Sequence, residues 1–128
     1  MKNDTVKDLN NKKMDKKVYG LRRQVINLIY EAKKIVNLPR VTVRITDNDE
    51  STLGMGRLGK NIIWITEEAI TMSQFNLRML VWHELVHTVA GLGHIKDCPL
   101  MSPVHNSKIT KTKADNLLKK YLTAGEMR

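Results

Sequence analysis

Apolar residues recur at helical spacing from Val18 to Val36: Val18, Leu21, Val25, Leu28, Ile29, Ala32, Ile35 and Val36 share one face. Asn37-Leu38-Pro39 stops that helix, because proline cannot continue the hydrogen-bond ladder. The period then shortens to two. Val41, Val43 and Ile45 alternate with Thr42 and Arg44, which predicts a half-buried strand, and Asp47-Asn48-Asp49-Glu50 reads as a turn. Leu53 to Leu58 with its glycines, then Gly59-Lys60-Asn61, then Ile62-Ile63-Trp64-Ile65, reads as a hairpin ending in a well-buried strand. Thr66 is placed to cap a short helix through Ile70. Ser73 is placed to cap a longer one to about Ala90, packed through Phe75, Leu77, Met79, Leu80, Trp82, Leu85, Val86 and Val89. Ser107 or Thr110 would start a last helix carrying Leu117, Leu118, Tyr121 and Leu122.

Residues 1–17 differ from all of this. They are polar and rich in Lys and Asn, with apolar side chains only at Val6, Leu9 and Met14 apart from the initial Met, so they read as a basic N-terminal arm, disordered or loosely helical. The remaining elements predict a single α+β domain over 18–128. In it a small mixed sheet packs on the long helix, flanked by N- and C-terminal helices. No repeat or linker suggests a second domain. A chain of 128 residues with 41% hydrophobic content suffices for one modest core.

Charge changes the picture only at the ends. The net charge of +9 divides into eleven Lys/Arg against four Asp/Glu over 1–40, five against seven over 41–107, and six against two over 108–128. The middle is slightly acidic and both ends are basic. Solvated helix faces account for such runs, and so does attachment to nucleic acid, another polyanion surface or a larger assembly; the pattern leaves both open. Tyr19 and Tyr30 are the only aromatic residues among the basic ones of the first helix, so base stacking has little support. One cysteine excludes an internal disulfide framework. The N-terminus has no apolar core of a signal peptide, and no stretch approaches a membrane span. The expected location is therefore cytoplasmic, or on a virion if the chain is of phage origin.

The chemistry is concentrated in HELVHTVAGLGH, His83 to His94, which holds three of the four histidines. His83 and His87 are four apart, so on a helix they stand on one face a turn apart, where two neutral imidazoles can grip a zinc ion. Glu84 between them is placed to act on a metal-bound water. Gly91, Leu92 and Gly93 break the helix, and His94 then brings a third nitrogen. Cys98-Pro99-Leu100-Met101-Ser102-Pro103 follows shortly after.

The segment from His83 to Pro103 resembles the active-site signature of the metzincin clan of zinc endopeptidases, HExxHxxGxxH followed by a turn containing a methionine. The likeness covers about twenty residues and departs from the pattern twice. One extra residue separates His87 from the glycine, to be absorbed as one further helical position or as a π-type bulge. The stretch from His94 to Met101 is about one residue short. The resemblance implies a minimal zincin fold of the small intracellular or phage type, with one Zn2+ on His83, His87 and His94. It also implies Glu84 as general base in peptide-bond hydrolysis, and Met101 as a packing platform. An edge strand among Thr52 to Leu58 would border the cleft and pair with an extended protein or peptide substrate.

Other residues carry two readings each. Asp97 either steadies the turn through hydrogen bonds or is merely solvated, Cys98 is a buried thiol or a thiolate ligand, and His105 is a surface group or a site residue. The rival to an enzyme is a zinc-stabilised structural module, docked on nucleic acid or in a virion. Such a module has no need of Glu84.

Overall fold

Helix α1 (Lys16–Ile35) begins two residues before its apolar stripe and buries Val18, Leu21, Val25, Leu28, Ile29 and Ala32 along one side. Lys33 and Lys34 occupy its last turn, where positive charge suits the exposed carbonyls. The computed structural model describes residues 16–46, 54–56, 61–95, 98–101 and 109–126. The basic arm and the turn at 47–50 lie outside them, apart from Lys16 and Lys17, which belong to α1.

Strands β1 (Thr42–Thr46) and β3 (Ile62–Thr66) pair in parallel, while β2 (Gly54–Gly56) runs antiparallel to β3, giving the order β1-β3-β2. The expected hairpin is thus β2–β3, and the sheet is mixed. Val43 lies opposite Ile63 and Ile45 opposite Ile65, and all four are buried. These four side chains give the β1–β3 pair a buried apolar surface, and α1 packs against β1. Burying each such side chain contributes about 1.5–3 kcal/mol. Asn61 enters β3 with a positive φ of 56°, a conformation asparagine tolerates better than most side chains.

The short helix after β3 differs from expectation. It forms as a 3-10 turn over Glu67–Thr71, and Thr66 makes no side-chain capping bond at its start. With only five residues and no cap, the tighter i to i+3 closure is what the segment sustains. The Thr71 hydroxyl closes it by donating to the Glu68 carbonyl at 3.0 Å. Ser73 does cap the next helix, α2 (Gln74–Leu85), its hydroxyl accepting from the Asn76 amide at 3.1 Å. Of the two candidates for starting α3 (Lys111–Glu126), Thr110 performs the same service for Lys113, and Ser107 lies outside the described residues.

α3 buries Ala114, Leu118 and Leu122 at four-residue spacing and packs on α2 and the turn that follows it. A polar cluster that the sequence pattern did not suggest fastens the three helices together. Arg78 of α2, only 7% exposed, donates to Glu31 of α1 and grips both carboxylate oxygens of Asp115 of α3 at 3.1 and 3.2 Å. The Trp82 indole N–H also donates to Asp115 at 2.9 Å, and the Arg78 guanidinium lies 4.5 Å from the Trp82 ring. Among the described residues no helix is long and apolar enough to cross a membrane.

Candidate metal centre

α2 does not end where its α-helical bonds do. Val86–Ala90 continue it as a π-helical turn, and Gly91 then closes it in the left-handed region at φ 70°. The three residues between His87 and Gly91 all fall within this wider turn. Single π turns inside helices occur frequently at functional sites. Thr88 within the turn is fully buried, and its hydroxyl accepts from the Ile62 amide at 3.1 Å. That bond ties the turn to the first residue of β3. β2, an edge of the sheet, packs against both α2 and the π turn.

The three histidines of the motif converge. One ring nitrogen from each of His83, His87 and His94 lies within 4.8 Å of the others, close enough to bind a metal ion. The ring centroids are 4.6, 5.2 and 4.9 Å apart. The loop after Gly91 delivers His94 through a backbone bond between its neighbour Ile95 and the carbonyl of Met101, at 2.8 Å. Met101 itself is fully buried, so the turn that carries it is anchored in the core.

Backbone carbonyls set the protonation of the two helical imidazoles. His83 Nδ1 lies 2.7 Å from the Leu100 carbonyl, and His87 Nδ1 lies 2.7 Å from the Leu92 carbonyl. A carbonyl only accepts, so each Nδ1 must carry the proton. In the neutral rings each Nε2 then presents a lone pair. These two Nε2 atoms face each other at 3.1 Å. Two acceptors at that separation repel unless a cation lies between them. Nitrogens on a tetrahedral zinc at about 2.0–2.1 Å stand roughly 3.3 Å apart, so the pair is already spaced for one. The residues present therefore fit a metal ion, by donor type as well as by spacing.

Burial pushes the His87 pKa below its usual value, and the nearby His94 adds to that, while the bond to Leu92 opposes it. The balance favours the neutral ring, which is the form that ligates. His83 and His87 are half-buried and His94 is exposed, so the cluster opens to solvent on the His94 side. Glu84, next to His83 on α2, is 4% exposed, a low value for a carboxylate.

Cys98 is buried, and its sulfur lies 3.0 Å from the Tyr121 hydroxyl. Among the described residues the metal-binding cluster comprises the three histidines alone. Burial and then the Cys98 thiol push the Tyr121 hydroxyl up to about 12. Asp97 and His105 lie outside the described residues. Sequence reasoning did not foresee the carbonyls of Leu92 and Leu100, since backbone acceptors leave no residue signal; nor did it foresee Thr88, although a threonine inside an apolar helix turn was available as a hint. No family model matches this chain, and no curated protein or solved structure does either.

Proposed function

We propose that the chain is a small metzincin-like zinc endopeptidase. The observation that carries this reading is the pair of lone-pair nitrogens of His83 and His87, fixed by their Nδ1 bonds at 3.1 Å and joined by His94. The resident ion would be one zinc, held by His83, His87 and His94. When bound, it supplies Lewis acidity that lowers the pKa of a coordinated water toward ~7 and polarises a substrate carbonyl.

The chain's own residues supply the rest. The carbonyls of Leu100 and Leu92 hold His83 and His87 in the ligating tautomer and in one orientation. Glu84 accepts a proton from the attacking water and returns it to the leaving amine. At 4% exposure its carboxylate is shielded from bulk water. Gly91 turns the chain back so that His94 joins the helical pair. The edge strand β2, packed beside α2 and the π turn, offers backbone on which an extended peptide would align.

Glu84→Gln tests this directly. The amide is nearly isosteric with the carboxylate but takes no proton, so hydrolysis of a cleaved peptide should fall by about 10²–10⁴-fold while zinc content holds. Equal turnover by variant and wild type removes Glu84 from its role. A zinc-loaded wild type that cleaves nothing in a broad peptide library points instead to a structural zinc module.

A further inference from the structure

Away from the histidines, a groove of about 490 Å³ runs between α1 and the start of β1. β1 and β2 are the two outer strands of the sheet, so this groove and the metal centre lie toward opposite edges. Three cations line it, Arg22, Lys33 and Arg40, over an apolar floor that includes Ile26 and Ile29. No carboxylate is among its described lining residues. Neither the Arg22 nor the Arg40 guanidinium enters an ion pair among the described residues, in contrast to the fully engaged Arg78.

Two further details point to a ligand. The Nε–H of Arg22 is buried and has no acceptor. A covered donor without a partner is destabilising, and an oxygen-rich anion supplies the acceptor after a modest swing of the head group. Tyr30, at the rim, is 59% exposed, and the Lys33 ammonium lies 5.3 Å from its ring centroid. A flat ring left in solvent beside a cation is a platform for a second flat ring.

We propose that this groove binds single-stranded nucleic acid, with Arg22, Lys33 and Arg40 on phosphate oxygens and Tyr30 stacked on a base. Cations along the groove with an aromatic platform at its rim are what recognition of a flexible strand requires. A run of glutamates or aspartates would use the charges but leave the apolar floor and the ring idle. The volume falls in the range of ordinary ligand pockets, about 300–1,000 Å³, which suits a nucleotide or two and not the rigid cylinder of a duplex. The proposal does not depend on the peptidase reading.

Fluorescence anisotropy of a labelled oligothymidylate on the full chain, titrated at several salt concentrations, tests it. Arg22→Ala with Arg40→Ala should weaken binding about tenfold or more. The slope of log affinity against log salt should shrink by about 1.4, two phosphates at about 0.7 each. Tyr30→Ala should weaken binding about fivefold or more and leave the salt slope unchanged. Lys113→Ala with Lys119→Ala removes the same charge from α3 and should change affinity no more than about twofold. Zinc content should be the same in all variants, so failure here is separable from failure of the metal centre. The proposal is overturned by absence of binding at low salt, or by equal losses in the α1–β1 and α3 pairs. Displacement of the oligonucleotide by polyglutamate of matched charge as readily as by unlabelled strand would overturn it in favour of an acidic peptide.

Discussion

Trp82 and His83 are neighbours on α2, yet they belong to two polar clusters of opposite character. Trp82 looks into a network in which the positive charge of Arg78 meets Asp115 and Glu31, and the indole N–H has Asp115 as its acceptor. His83 looks into one where its Nε2 and that of His87 lie 3.1 Å apart. Both clusters are built by the same helix, and both draw on partners from elsewhere in the chain. The difference is closure. A network in which a buried guanidinium has carboxylate partners on two other helices holds those helices together. A network of three imidazoles, two of them held in place by carbonyls, lies close enough together to bind a metal ion.

Removing a ligand should have the largest effect on that contrast. Zinc at about 1,000-fold over its dissociation constant should add about 4 kcal/mol to the stability of the wild type. His83→Ala or His87→Ala should gain almost nothing at the same zinc concentration; equal stabilisation, measured by thermal or denaturant unfolding, would show that zinc binds elsewhere.

The closed network should respond in the reverse way, in stability and not in metal binding. Asp115→Ala leaves Arg78 and the Trp82 N–H short of an acceptor and should cost about 2–4 kcal/mol. Replacing Arg78 by Met and Asp115 by Leu together should cost less than that single change, because the one carboxylate left over, Glu31, is half exposed and no buried charge is stranded. Additive losses in denaturant titrations would mean that the two residues do not act as a unit.

At Gly91 the expected effect is smaller. A Cβ there meets nothing within 4 Å, so the penalty of Gly91→Ala is the left-handed conformation alone, about 1 kcal/mol. A larger loss of zinc affinity than of stability would show that the turn is tuned to deliver His94.

The smallest effect concerns Tyr121, whose hydroxyl is pushed up to about 12 by burial and by Cys98. The folded state thus favours the protonated form. Its stabilising contribution is complete below the ordinary value near 10 and is lost as pH rises from there through about 12. Tyr121→Phe should lose less stability than the wild type across that interval. Parallel alkaline curves would remove the hydroxyl from the account.

Much of this was legible in the residues, and what was not has a physical reason. Periodicity placed α1, β1, β3 and the long helix through Ala90, because one-sided burial imposes it. Ser73 and Thr110 were legible as caps because a hydroxyl ahead of an apolar run has few other uses. The surplus residue before Gly91 foretold a wider turn as one of two solutions, and the π turn over Val86–Ala90 is the one that forms. Thr66 misled, since a cap residue has little to cap in a 3-10 turn of five residues. Arg78 gave no warning at all. Its partners lie 47 positions before it and 37 after it, and no local pattern on α2 marks a pairing across such distances. The carbonyls that fix the histidine tautomers were equally silent, because the backbone carries the same acceptor at every residue.

The central claim is that the three-histidine cluster is a metal site with one position left open. Metal analysis and zinc-edge X-ray absorption on protein prepared with zinc test it most directly. The account predicts about one zinc per chain, with three imidazole nitrogens at about 2.0–2.1 Å and a fourth light atom from solvent. A sulfur ligand near 2.3 Å, a fourth imidazole, or protein that retains no zinc would contradict it.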